Sequence, residues 1–263
     1  MHKEIRYKGE DNEEYWDRRW QETLSDADRF ENLDIYPIRY SEMVVPQTEG
    51  VIAELGCGLG RLVKHYHKQG KNIVGVERSA IAVRKILEEN PDLKVEVADV
   101  RKLSFPDNYF DVILAFGLFH NIEEGMFDAT KEAIRCLKPG GRFCISMRPD
   151  NFEMRLNNYY WRRKHRGNGE GKFHKWLITR KEVLGILHNL DCVVDQVHRG
   201  RNVSILWRIH FFRKSRYVSS PGDTVNRAKG YELNMLGEFI NKMLTLFFPD
   251  SFCNVLIFIG TKR

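Results

Sequence analysis

Glu54-Leu55-Gly56-Cys57-Gly58-Leu59-Gly60-Arg61 lies where a short apolar run, 51–55, gives way to a stretch with helical spacing. Three glycines at alternate positions let the backbone turn sharply and let a ligand come close where a Cβ would collide. The dinucleotide fingerprint GxGxxG needs a third glycine at position 61. Arg61 stands there, which disfavours a nicotinamide dehydrogenase.

Working outward, short apolar runs alternate with helical patterns, the signature of a parallel sheet wrapped by helices. The spacing predicts strands at 51–55, 72–77, 94–99, 110–116 and 142–147. Helices are expected from Leu59, after Ser79 as N-cap, and over 123–137, where Lys138-Pro139-Gly140-Gly141 stops the last of them. A sixth strand at 192–197 and a final one at 254–259 complete the expected class: α/β, a doubly wound, mostly parallel seven-stranded sheet with helices on both faces.

Two stretches break the alternation. Residues 149–178, rich in Asn, Tyr, Arg and Gly, read as an inserted segment, and order resumes at Thr179-Arg180-Lys181-Glu182, a capping-box spacing. A second insertion, about 198–253, holds a helix whose apolar positions Leu233, Leu236, Ile240, Met243, Leu244 and Phe247 recur near the 3.6-residue period. The expected organisation is therefore an N-terminal helical segment, 1–45, a core at 46–148, the first insertion at 149–178, and a C-terminal part of the core at 179–263. The two insertions are expected to pack together as a lid over the acceptor.

Strand ends carry the candidate chemistry, because open parallel sheets bind ligands outside their carboxyl edges. Glu77 closes the second strand, where a carboxylate can accept hydrogen bonds from both hydroxyls of a ribose. Asp99 closes the third, next to Val100, a pairing suited to an adenine amino group beside an apolar wall. Phe116 closes the fourth, and with Glu54 these residues define one crevice.

This series resembles the class I, Rossmann-like S-adenosylmethionine-dependent methyltransferases. The resemblance rests on the glycine motif at 54–60, Val74-Gly75-Val76-Glu77, Ala98-Asp99-Val100, Pro106-Asp107-Asn108-Tyr109-Phe110-Asp111, the run 116–120, and Leu137-Lys138-Pro139-Gly140-Gly141. It covers 48–148 closely and 173–197 more loosely. By that resemblance the cofactor is S-adenosylmethionine, with S-adenosylhomocysteine as product. Glu54, Gly56, Cys57, Gly58 and Gly60 would face its methionine part, Glu77 and Arg78 its ribose, and Asp99, Val100 and Phe116 its adenine side. Tyr15, beside Trp16, resembles an aromatic segment that folds over the cofactor in many relatives; the competing reading is a helix that uses Trp16 and Trp20 to pack on the domain.

Methyl transfer from a sulfonium is an in-line displacement, so it needs a positioned acceptor and exclusion of water, with a general base only where the acceptor must lose a proton. His120, just after the fourth strand, is the candidate base. Arg148, Tyr159, Tyr160, His174 and Trp176 are the candidate acceptor-site residues. Cys57 reads as a small residue that fits a tight loop, not as a nucleophile.

Composition bounds the rest. The chain has 263 residues, 42% hydrophobic and 30% charged, with a formal charge of +6. That charge is concentrated at 162–166 and at Arg208, Arg213, Lys214 and Arg216. No apolar run reaches membrane-spanning length and the start lacks the apolar segment of a signal peptide, so a cytoplasmic address is expected. Five scattered cysteines without a CxxC pair exclude a zinc clamp, and no metal is expected. The partner is expected to be a small-molecule methyl acceptor, modified on O or N; the oligomeric state is not readable. The alternatives are an RNA methyltransferase that uses the basic and aromatic insertion, methylation of a protein, and a regulatory subunit that binds the cofactor without using it.

Overall fold

The computed structural model describes residues 2–8, 11–23, 36–164, 171–200, 203–214 and 232–263. Its centre is a seven-stranded sheet of β2 (Ile52–Leu55), β3 (Ile73–Glu77), β4 (Lys94–Val97), β5 (Phe110–Ala115), β6 (Leu137–Met147), β8 (Cys192–Gly200) and β9 (Val255–Lys262). The spatial order is β4-β3-β2-β5-β6-β9-β8, with β9 antiparallel to both its neighbours and the pairs from β4 to β6 parallel. Strand order reverses between β2 and β5, which places the ligand crevice at the carboxyl ends of those two strands.

Both faces of the sheet are covered, as the near-continuous apolar strands require. On one face Ala53, Leu55 and Ile113 meet Ala129 and Ala133 of α5 (Met126–Cys136) and Val183 and Leu187 of α7 (Arg180–Asn189). On the other, Ile52, Val112 and Leu114 meet Ile38 of α2 (Tyr36–Ser41), Leu62 and Tyr66 of α3 (Arg61–Lys68), and Ile86 of α4 (Ala80–Glu89). Neighbouring residues of β2 thus face opposite layers, the period-2 alternation of a strand. The five cysteines are all buried and free.

The two caps read from sequence are in place. Ser79 Oγ accepts from Ala82 N, and Thr179 exchanges hydrogen bonds with the Glu182 backbone and side chain. Lys138-Pro139-Gly140-Gly141 differs from expectation: α5 already ends at Cys136, and these residues lie inside β6, which begins five positions before the predicted strand. Gly140, at φ +76°, lets the strand bend there, and the β5–β6 register shifts between Phe110 and Val112.

The first expected insertion holds regular elements among its described residues. It contains α6 (Phe152–Lys164) and β7 (Lys172–Leu177), and β7 pairs antiparallel with β1 (Lys3–Lys8) in a separate two-stranded sheet. The N-terminal segment therefore opens on a strand, followed by the expected helix α1 (Asn12–Glu22). β1 gives little periodic signal: among its described side chains Ile5 is the buried one, packed against Met154 and Leu177. In the second insertion α8 (Met235–Phe247) matches the predicted helix; Leu233, Ile240 and Leu244 pack inward as the period implied, whereas Leu236, Met243 and Phe247 are exposed and Gly237 and Asn241 point inward.

Candidate active site

The glycine loop joins β2 to α3. Gly56, Gly58 and Gly60 all have left-handed backbone, at φ +68°, +57° and +72°. Gly60 is the N-cap of α3 and has no side chain with which to satisfy the helix's first N–H groups. Glu54 supplies the missing acceptor from β2: its Oε2 takes the Val63 N–H at 3.2 Å. Glu54 thus lies behind the loop and supports it. Burial pushes its carboxyl up to about 8, against the lowering effect of the Val63 amide and of Arg61.

Glu77 closes the loop from the other side. Its Oε2 accepts the Gly58 N–H at 2.8 Å and its Oε1 accepts the Ser79 N–H at 3.0 Å. Each oxygen therefore retains acceptor capacity on a side chain that is 9% exposed. Burial raises its carboxyl above the ordinary range, while the Ser79 and Gly58 amides oppose that shift. Two preoriented acceptors fixed at a strand end are the acceptor pair that the two hydroxyls of a ribose can donate to, so the residues present fit an adenosine-type cofactor. Cys57 turns its thiol to Gly75, where an added Cβ would meet Sγ at 3.0 Å, and burial raises that thiol well above its ordinary value. A nucleophilic thiolate is excluded there.

Helix α1 lies across the end of β3. Ser79 Oγ bonds Asp17 at 2.5 Å, and Arg78 pairs with Glu13. Lys85 of α4 donates to the carbonyls of Trp20 (2.7 Å), Gln21 (2.8 Å) and Thr23 (3.2 Å), closing the C-terminus of α1, where a cation is also favoured by the helix dipole. Trp16 stacks on Trp20, and the Trp20 ring covers Gly58 so closely that a Cβ there would lie 2.9 Å from it. Trp16 and Trp20 therefore help pack α1 onto the domain, with Trp20 seated on the glycine loop itself. Tyr15 makes an edge contact with Trp16. Replacing Lys85 with Met should loosen α1 by about 1–2 kcal/mol, because the last carbonyls of the helix lose a charged donor. Amide exchange over 12–22 should accelerate while that of β2 and β5 stays unchanged; equal exchange in both proteins would remove Lys85 from this role.

The other predicted residues divide. Val100 is buried, and Phe116 meets the Tyr36 ring edge-on at 5.6 Å. Asp99 is engaged by Arg101, whose Nε and Nη2 reach its carboxylate at 2.6–3.0 Å and hold it below its usual range. His120 lies in a 3-10 turn, Phe119–Asn121, packed on β6 and β7, and is 3% exposed. Trp176 donates to Ile122 O at 2.8 Å, which brings β7 down beside that turn, and His174 is on the same strand, half-buried. Arg148 donates to Asn254 O at 2.5 Å. Tyr159 and Tyr160 are exposed on α6; the Arg163 guanidinium lies over Tyr159 at 5.5 Å and that of Arg208 over Tyr160 at 5.3 Å. Of the two basic clusters, His165, Arg166 and Arg216 lie outside the described residues.

Two residues at the crevice escape the sequence reading. Tyr36, the first residue of α2, shares a 2.8 Å hydrogen bond with Ser146 near the end of β6, and Ser146 Oγ also accepts the Gly117 N–H at 2.9 Å. No local pattern marks them, since their proximity exists only once 110 residues of intervening chain have folded.

Comparison with known proteins agrees with this geometry. Residues 53–145 match the family model described as a methyltransferase domain. EEF1A lysine methyltransferase 4 of Mus musculus is 27% identical over 199 residues, covering 66% of this chain and 77% of the mouse protein. The ubiquinone/menaquinone biosynthesis C-methyltransferase UbiE of Chromobacterium violaceum is 35% identical over 102 residues, covering 36% of this chain and 41% of that protein. The chain thus spans less than half the length of some of the curated relatives it matches, down to 16% for a Drosophila pseudoobscura homologue. A solved S-adenosylmethionine-dependent methyltransferase of Mesorhizobium loti shares the fold, with a TM-score of 0.58 and 17% identity, covering 87% of this chain and 99% of that one. The family model, the strand order and the glycine loop agree: residues 53–145 form a methyltransferase domain, in a chain with the fold of the class I, Rossmann-like S-adenosylmethionine-dependent methyltransferases.

Proposed function

We propose that this chain transfers the methyl group of S-adenosylmethionine to a compact small-molecule acceptor, on oxygen or nitrogen. The cofactor reading is carried by Glu77, which fixes the glycine loop through Gly58 and keeps acceptor capacity on both oxygens. In this reading Glu77 holds the ribose, the loop at 56–60 passes close to the methionine part, and Val100 and Phe116 flank the adenine, with Asp99 reaching it by exchanging part of its Arg101 pairing.

When bound, the cofactor supplies an electrophilic methyl on a cationic sulfonium. The protein's task is then to aim the acceptor and exclude water, since positioning within about 3–3.5 Å in line removes most of the entropic barrier. The β1/β7 sheet serves as a wall of the acceptor side. It is tied to the segment after β5 by Trp176 and Ile122 and by Arg6 and Glu123 at 3.1 Å, and an acceptor side walled in this way would suit a compact molecule. His120, in the turn that follows β5 and shielded from bulk water, is the proposed base. Residues 1–45 would cover the cofactor, and 149–178 would bound the acceptor with Arg148, His174 and Trp176.

A second reading, methylation of a protein lysine, is favoured by the mouse relative, which aligns with two thirds of the chain. The RNA reading is weakened by the arginines already stacked on Tyr159, Tyr160 and Trp161, which occupy the ring faces that bases would need. Incubation with cofactor labelled in the methyl group and fractionated cell extract separates these readings. Label is expected in the low-molecular-mass fraction; label in a protein band would replace the acceptor class, and label in no fraction would overturn catalysis.

A further inference from the structure

Helix α8 carries apolar residues on both of its faces. An amphipathic helix of a globular domain ordinarily buries its apolar stripe and shows its polar face to water. Here Met235, Phe239, Leu246 and Phe247 are 92%, 60%, 72% and 62% exposed, and Leu236 and Met243 lie with them on the same outward face. The inward face is built from Gly237 and Asn241 and the half-buried Ile240 and Leu244. Lys242 is the one charged residue within the outward stripe.

This orientation is fixed by hydrogen bonds. Asn241 Oδ1 accepts the Val203 N–H at 2.9 Å, and Asn234 donates from Nδ2 to Phe211 O at 2.7 Å while its Oδ1 caps Gly237 N at 2.9 Å. A Cβ on Gly237 would lie 2.5 Å from Phe212 O, so helix and segment are in close contact. That segment is held in turn by Glu153 of α6, which accepts from both the N–H and the Oγ of Ser204. Rotating the stripe inward would break the bonds that Asn241 and Asn234 make.

Phe211 and Phe248, both exposed, extend the patch at its two ends. Arg213 and Lys214 border its N-terminal side: Arg213 bridges to Leu233, and Lys214 bonds Glu232 O through its N–H and pairs with the Glu232 carboxylate at 3.3 Å in an exposed ion pair that a phosphate could replace. Arg208 lies over Trp161, which brings the Arg162 and Arg163 end of α6 to the same side. An apolar helical face bearing Phe, Leu and Met, with a lysine in it and arginines around it, has the composition of an interfacial anchor. A second copy of the chain is the poorer occupant: an isologous contact on this stripe would set Lys242 and the basic border against themselves. The chain's own stretch 215–231, outside the described residues, is polar in sequence and has no apolar run to cover it.

We propose that α8, with Phe211 and Phe248, seats this protein on the surface of a bilayer containing anionic phospholipids. The apolar side chains would enter the headgroup boundary while Lys242, Arg213 and Lys214 meet lipid phosphates. α6 follows directly from the carboxyl end of β6, so a protein seated this way presents its acceptor side near the membrane. The binding itself requires no methyl transfer and is read without it.

Co-sedimentation of the full chain with vesicles of phosphatidylcholine, with and without phosphatidylglycerol, tests this. Association at least about tenfold stronger with the mixed vesicles is expected, weakening as salt is added. The double variant F239S/L246S should lose tenfold or more of that binding with unchanged thermal melting, because both side chains are solvent-exposed. K242E should lose a smaller part. Binding that the double variant leaves intact would mean that net positive charge alone attracts the vesicles, and would overturn the proposal. So would absence of binding, or a dimer in sedimentation velocity that the double variant dissociates, which would make a second copy the occupant.

Discussion

Glu77→Ala should weaken binding of S-adenosylhomocysteine by about 1.5–3 kcal/mol, or roughly 10- to 150-fold in Kd, measured by titration calorimetry. The side chain does two things at once. It offers charge-assisted acceptors to the cofactor, and it satisfies the Gly58 and Ser79 amides. Removing it leaves both N–H groups without their carboxylate, so the loop should also lose about 1–3 kcal/mol of local stability, visible as a lower melting temperature of the unliganded protein. Glu77→Gln separates the two effects. It keeps the size and one acceptor oxygen but loses the charge, so affinity should fall while melting changes less. Unchanged affinity in both variants would remove Glu77 from the cofactor site.

The second large effect is on pH dependence. Glu54 titrates near 4.5 when unfolded and at about 8 when folded, because burial disfavours its charged form. Below about pH 4.5 it is protonated in both states and exerts no penalty. As pH rises toward 8 the unfolded chain releases the proton first, so stability falls, by about 1.4 kcal/mol per pH unit while only the unfolded form is ionised. Across that window the loss amounts to roughly 3–5 kcal/mol. Glu77, also raised by burial, adds in the same direction. Wild-type protein should therefore melt roughly 5–15 °C lower at pH 8.5 than at pH 6. Glu54→Gln keeps an oxygen for the Val63 N–H but carries no charge, and its melting curve should be much flatter over the same range. Parallel curves for the two proteins would sink this assignment.

The same two carboxylates explain how far the site was legible in the chain. Glu54, Glu77 and the three glycines stand in a strand-turn-helix context that local chemistry determines, and each is found at the crevice or directly behind it. Asp99 is the instructive difference: its position at the end of the third strand was readable, but its engagement with Arg101 depends on rotamers that no spacing encodes. Tyr36, Ser146 and Lys85 were not legible, because each acts through a partner more than sixty residues distant. Lys85 in particular looks like an ordinary polar position of a helix until three carbonyls of α1 converge on it.

By itself the sequence determined the doubly wound sheet, its seven strands, the caps of α4 and α7 and the glycine turn between β2 and α3. All follow from interactions within a few residues: apolar alternation, cap chemistry, and glycines where the backbone must turn left-handed. Tertiary structure decided the β1–β7 sheet, the seating of Trp20 on Gly58 and the outward face of α8. Each depends on which surface remains after the core has formed. The apolar period of α8 says that a stripe exists, but Asn241, Asn234 and Gly237 choose which way it points, since a buried amide with a partner outweighs an apolar side chain that has none.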